Sequence, residues 1–511
     1  MMEKSIYQQI CNNITDGILD SGFALYEQDS DASEIKWAPG ALDGVYIYHM
    51  PHADLDAAQA KRMARALKCA AGGDFPKADA MFFEWTKDVR AVSCIDELQK
   101  YVIDHERSLD AGNVFHTALF LVLYSTHIEC VKIGLELLEL FGDPQEKLKE
   151  IIRRIGLYDE FTIFAVWNML KWKNSNDEIF ALAKKVCSWG RIHAVERLNP
   201  DTDEIRHWLL TEGTINAVEN AYSALTCWQK SGAEELLSGK PTPEEYAAIT
   251  TLIDGLIDEG PVPGISEIEN AESVLLRFLE LSSNYTLGTD EYDVILSIRQ
   301  WADDEDLPSV SSACDQILHS KYCTEAVLTA VKKGQALRLA DELGLPFRRE
   351  LLECMRKDFD KNFYNCGYLM KNRDYIEPTL QLFREKLSLS EMAGEPENNI
   401  GVGEEYRAYD QLQFILQELA PYPLMGMDFM TAGLQSPLTR NRNCALTNLK
   451  NWVQEKQLPL ASLSPELYEL VEDLRDKEVN DDAMALILPL LNGQTIFKNK
   501  DGDEVDESEA E

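Results

Sequence analysis

His49 and His52, followed closely by Asp54 and Asp56, form the one compact group in this chain whose residue types match a transition-metal ligand set. Two imidazoles and a carboxylate hold zinc only if they converge, and Met50-Pro51 between the histidines breaks a regular helical presentation. The spacing therefore reads as a loop or a local cap. None of the 8 histidines falls in His-Glu-x-x-His or in a Cys/His zinc spacing. The C-terminal acids fail a calcium test in the same way. With Gly502 at the obligatory turn of an EF-hand, the first and last ligand positions are Phe497 and Ser508, and neither supplies the required carboxylate. Gly401-x-Gly403 follows a polar loop, where glycines relieve turn geometry, and no phosphate-cradling loop or serine nucleophile elbow occurs. With 88 Asp and Glu, any carboxylate pair picked for acid–base chemistry is arbitrary, because the separation that matters is three-dimensional. The sequence thus assigns no catalytic, cofactor-binding or metal-binding residue and calls for no cofactor. Trp37, Tyr46 and Tyr48 are the candidates for partner contact, since aromatic rings give large contact area at low entropic cost. The plainer reading is that they anchor an irregular N-terminal segment onto the first helices.

The chain that must position these residues carries a formal charge of -39, yet 45% of it is hydrophobic, so it can fold while presenting a negative surface. The terminal run 501–511 holds seven acids and no base, and without it the body still stands at -32. Such a field repels nucleic-acid phosphate and anionic lipid, and Lys61, Arg62 and Arg65, or Lys184 and Lys185, are too few to reverse it. A protein with a basic surface is the partner the charge favours; solubility alone is the plainer account. The N-terminal residues lack the basic and apolar regions of a secretory signal, and the apolar stretch 118–124 is too short to span a bilayer. All 11 cysteines are scattered without a Cys-x-x-Cys pair, the pattern of free thiols in a reducing compartment. The expected location is cytoplasmic, without a membrane segment.

Hydrophobic periodicity predicts helices almost throughout. Phe161, Phe164, Trp167 and Leu170 recur nearly every three residues, as do Ile179, Ala183 and Val186. In 127–141 the apolar positions cover so much of the circumference that more than one neighbour must pack on the helix. Thr242-Pro243 with Glu245 marks one helix start, Ser464-Pro465 another, and Asp201 or Thr202 a third. A first helix is expected over 4–19. Asp43-Gly44 followed by Val45, Tyr46, Ile47 and Tyr48 has turn and strand composition, so 35–50 reads as a small hairpin or ordered loop. The expected organisation is an N-terminal helix and irregular segment over 1–52, a helical array over 53–393, a flexible loop over 394–405, further helical repeats over 406–492, and a short hairpin with a disordered acidic tail over 493–511.

Arg191, Ala194 and Leu198 form R-x-x-A-x-x-x-L, repeated at Arg442, Ala445 and Leu449, with a looser variant in GQALRLADELGLP at 334–346. In these fragments the chain resembles HEAT-like and armadillo-like helical-repeat proteins. That resemblance implies an all-α fold, an extended or curved α-solenoid in which antiparallel helix pairs cover one another's apolar faces. It also implies a concave binding surface. The expected function is a protein-binding scaffold or adaptor, the narrower alternative a regulatory or immunity protein neutralising a basic partner. The rival is an enzyme with its active site in the solenoid groove. HEAT-like DNA glycosylases show that the architecture can carry chemistry, but their cationic groove is opposite to the charge here.

Overall fold

A computed structural model describes residues 4–25, 37–51, 54–260 and 262–493. Within them the protein is all-α: successive helices pack as antiparallel pairs in an α-solenoid arrangement, and the only sheet is a two-stranded hairpin near the N-terminus. Two compact units divide the chain, Met1–Leu287 with Val294–Ile317, and Gly288–Asp293 with Leu318–Glu511.

In the first unit, Ala111–Tyr124 packs on Ile128–Glu139, which packs in turn on Asp159–Met169; Asp159–Met169 packs on Trp189–Arg197, and Ala221–Ser231 on Pro243–Ile257. In the second, Arg407–Leu419 lies on Thr439–Lys456 and Thr439–Lys456 on Asp481–Asn492. Pairing of near neighbours follows from the sequence, because each amphipathic helix finds its cover a short connection away. Ile128–Glu139 is buried from Cys130 through Leu138 and touches helices on several sides, as its broad apolar surface requires. The starts are built as expected. Thr242 Oγ1 accepts from Glu245 N and Glu245 Oε2 from Thr242 N, a reciprocal capping box, while Ser464 caps Pro465–Arg475 and Thr202 caps Asp203–Trp208. No helix among the described residues is long and apolar enough to cross a membrane.

The N-terminal region departs from expectation. The first helix covers only Ile6–Asn12; the chain then turns back as a hairpin, Ile14–Thr15 against Ile18–Leu19. Asp16 and Gly17 form its tip with φ of 52° and 75°, the two left-handed residues that a tight hairpin turn needs. The expected strand at 45–48 is instead the helix Ala41–His49. Long-range packing overrides local composition there. Asp43 is drawn inward by cations of other elements, and Gly44 serves a close approach, not a turn: a Cβ on it would stand 2.4 Å from the Trp189 ring.

Both R-x-x-A-x-x-x-L fragments do one job. Ala194, Leu198, Ala445 and Leu449 are fully buried. Arg191 fastens the carbonyls of Val186 and Ile215, and Arg442 those of Ser436, Pro437 and Glu397. Arg442 also forms a two-pronged pair with Glu478, 2.7 Å on each arm, with both side chains fully buried. Glu397 belongs to the segment 394–405 that the sequence reads as a flexible loop, and backbone hydrogen bonds join that segment to 435–439. Glu397 N donates to Pro437 O and Thr439 N to Asn399 O, each at 2.9 Å. The short hairpin and acidic tail assigned to 493–511 lie outside the described residues except for Gly493.

Gly44→Ala separates packing from propensity. On propensity alone an added methyl in a helix interior stabilises by about 1 kcal/mol; against the Trp189 ring it is expected to destabilise by about 1–3 kcal/mol, read as a lower urea midpoint.

Candidate functional site

The most concentrated set of ionisable side chains sits inside the first unit around Lys132. Its ammonium is fully buried on Ile128–Glu139 and donates to Asp43 Oδ2 at 2.6 Å, Glu129 Oε1 at 2.9 Å and Glu160 Oε1 at 2.5 Å. Asp43 comes from Ala41–His49 and Glu160 from Asp159–Met169, so one charge joins three helices. Arg90 closes the cluster from the loop before Ala91, its Nε and Nη2 donating to Asp43 Oδ1 at 3.1 and 3.0 Å and its Nη2 lying 3.0 Å from Glu129 Oε1. Two backbone amides complete it: Ala91 N donates to Glu129 Oε2 at 2.7 Å and Gly40 N to Glu160 Oε2 at 2.6 Å.

Burial alone would lower the Lys132 pKa, but Asp43, Glu129 and Glu160 reverse the effect and raise it, so the ammonium stays charged. Arg90 follows the same pattern, with Glu129 and Asp43 outweighing burial. One turn beyond Lys132, Glu136 is buried without a hydrogen-bond partner for either oxygen. Burial, and after it the neighbouring Glu129 and Asp43, push its carboxyl well above the usual range, so it is held as the neutral acid.

Oxygens of Asp43, Glu129 and Glu160 lie within 4.8 Å of one another, the one such metal-like group among the described residues. Lys132 Nζ takes hydrogen-bond distances to all three, where a cation bridging these oxygens would sit. The arrangement is a clamp that spends its ligating capacity on the protein's own ammonium. Sequence reasoning missed it, although a signal existed: Lys132 and Glu136 stand in a helix whose apolar surface runs nearly all round, and charges there have nowhere to go but inward.

The residues picked from sequence fall elsewhere. Trp37 is 54% exposed. Tyr46 is half-buried with the Arg90 guanidinium 6.0 Å from its ring. Tyr48 stacks on Trp189 and on His193, centroids at 6.1 and 5.9 Å, and its hydroxyl donates to Glu196 at 3.1 Å. Tyr46 and Tyr48 thus face different neighbours. His49 pairs with the Tyr222 hydroxyl at 2.7 Å, His52 lies outside the described residues, and Asp56 caps Ala57–Ala71. His193, beneath Tyr48, is fully buried with both ring nitrogens unpartnered; burial and then Arg197 lower its pKa to about 3, so it is neutral.

Two open cavities lie in the first unit. One of about 410 Å³ lies by the N-terminal hairpin and is lined by Cys11, Asp16, Arg153, Arg154 and Lys185 among others. Its arginines are already engaged, Arg153 by Glu178 and Glu146 and Arg154 by Glu150. The other, about 420 Å³, is lined by Glu219, Asp254, Asp258, Asp304 and Trp301 and by no basic residue. All 11 cysteines are free thiols. Comparison of the chain with protein-family models, curated proteins and solved structures gives no match.

Lys132→Ala leaves three carboxylates facing one another with only Arg90 between them. The expected cost is about 3–5 kcal/mol in chemical denaturation, and millimolar Mn²⁺ is expected to raise the melting temperature of the variant but not of the parent. For His193 the folded imidazole stays neutral while the unfolded one protonates below about 6.5. Its contribution to stability is therefore lost as pH falls from 6.5 toward 3, by about 1.4 kcal/mol per pH unit. His193→Phe should remove that slope, measured as the difference between parent and variant urea midpoints at pH 7 and pH 4.5.

Proposed function

We propose that the protein is a HEAT-like helical-repeat scaffold that binds basic segments of other proteins. The observation that carries this reading is the cleft of about 420 Å³ lined by Glu219 and Asn220 just before Ala221–Ser231, by the end of Pro243–Ile257 and by Thr289–Asp304, which gathers Glu219, Asp254, Asp258 and Asp304 with no Lys or Arg in its lining. Beside these acids stands Trp301, half-buried, its indole N–H 3.4 Å from Glu259 Oε2. A lysine or arginine entering the cleft meets carboxylates for its charge and an indole for its stem or guanidinium face. The recurrence of R-x-x-A-x-x-x-L in one structural role supports the repeat assignment, and the net charge of -39 supports steering of a cationic partner.

The test is a peptide array of Lys- and Arg-containing sequences read against the parent and the triple variant Asp254→Asn, Asp258→Asn, Asp304→Asn. Binding by the parent that weakens with salt, and is reduced about tenfold or more in the variant, is the expected outcome. Equal retention by parent and variant would overturn the assignment of this cleft.

A further inference from the structure

The second unit exposes two large aliphatic side chains on a segment that is otherwise fastened down. Ile400 is 64% exposed and Val402 79%, the latter the highest value for a large apolar side chain among the described residues. Between them Gly401 is buried, with φ of 64°, and pressed so closely on Leu438 that a Cβ would lie 2.5 Å from its side chain. The backbone therefore turns inward at Gly401 and throws both neighbours into solvent. Pinning extends along the segment: Gly394 N donates to Gln435 O, Thr439 Oγ1 and Arg442 Nη2 donate to Glu397 O, and Gly401 N donates to Asn399 Oδ1. Asn480 Nδ2 donates to Asn398 Oδ1 at 3.0 Å, which brings the turn bearing Val479, itself 56% exposed, alongside.

Exposed apolar groups on a loose loop would fold back or be averaged by motion. Here a buried Arg442–Glu478 pair fixes the base that presents them, and a preorganised apolar contact loses little entropy on binding. The rim decides what can cover it. Glu395, Glu397, Glu404 and Glu405 are all exposed, none is in an ion pair among the described residues, and no basic residue occurs from 387 to 406. A second copy of this chain would bring the same carboxylates to the same place, so self-association is opposed by like charge.

We propose that the segment 394–405 is a docking element whose Ile400 and Val402 insert into an apolar socket of a partner protein rimmed by Lys and Arg. The inference rests on the partner-binding reading but uses a surface separate from the acidic cleft.

The experiment is site-specific photo-crosslinking of the full chain in the cells that make it, with p-benzoylphenylalanine in place of Val402 and, as control, in place of the exposed Ile103. The expected product is a second protein joined at 402 and not at 103, whose crosslinked peptide carries apolar residues flanked by Lys or Arg. Binding of that purified protein should weaken about tenfold or more in Ile400→Asp/Val402→Asp. The same variant should melt at an unchanged temperature, which separates lost docking from lost folding. Glu404→Lys/Glu405→Lys should weaken binding and flatten its salt dependence. A product with a second copy of the chain, a crosslinked peptide without basic flanks, no product above the control, or undiminished binding by the aspartate variant would overturn the proposal. Peptide binding lost in the cleft variant alongside any of these results would leave the scaffold reading standing, and only the docking element would fall.

Discussion

A single buried ammonium organises the first unit. Lys132 has no route to solvent, so it persists only because Asp43, Glu129 and Glu160 reach it from three helices. The constraint acts in both directions. Each carboxylate is as costly to bury as the ammonium, and the geometry that satisfies one satisfies all. Ala41–His49 is therefore held where Asp43 can meet Lys132 and Arg90, and its Tyr48 is thereby brought onto Trp189 and His193. Apolar packing sets how close the helices come; the charge cluster sets which residues face one another. Glu136 shows the limit of the device. Lying one turn further along, it is kept neutral by burial and the surrounding acids.

The second unit uses the same chemistry with arginine. Arg442 has planar donors that reach Glu478 and three backbone carbonyls at once, which an ammonium could not satisfy with the same geometry. Lysine suits the first cluster because three oxygens converge on a point; arginine suits the second because its acceptors lie in a fan. In each unit the cluster also bonds the backbone of a connection, through Glu160 to Gly40 N and Glu129 to Ala91 N in the first and through Arg442 to Glu397 O in the second.

What could be read from the residues followed the range of the forces involved. Thr242 with Glu245, Ser464 with Pro465, and the stripe through Phe161 and Phe164 act over one or two helical turns, and the structure has each where its spacing predicts. Asp43-Gly44 carries a turn signature whose local preference is overridden by partners about 50 and 90 residues away, and no window on the sequence contains them. Asp16-Gly17 carries the same turn signature and does form the hairpin tip. The difference lies in Trp189 and Lys132, which Asp16-Gly17 does not meet. The candidate cleft was least legible of all, since Glu219, Asp254 and Asp304 are three among many acids until the fold brings them around Trp301.

The distribution of charge then bears on function. Inside, every buried cation meets at least one carboxylate, Lys132 and Arg90 sharing Asp43, Glu129 and Glu160 and Arg442 taking Glu478, because an unmatched buried charge costs several kcal/mol, on the order of the stability of a whole domain. The excess of acids behind the charge of -39 must therefore lie on surfaces and clefts. Among the described residues, no Lys or Arg lines the cleft beside Trp301, and no basic residue occurs from 387 to 406 around Ile400 and Val402. Carboxylates gathered in a concave site or around exposed aliphatics repel one another in the free protein, and a cationic partner relieves that repulsion as it covers the apolar surface. Screening by salt acts on the first effect and leaves the second, so the two parts of such an interface are separable by ionic strength.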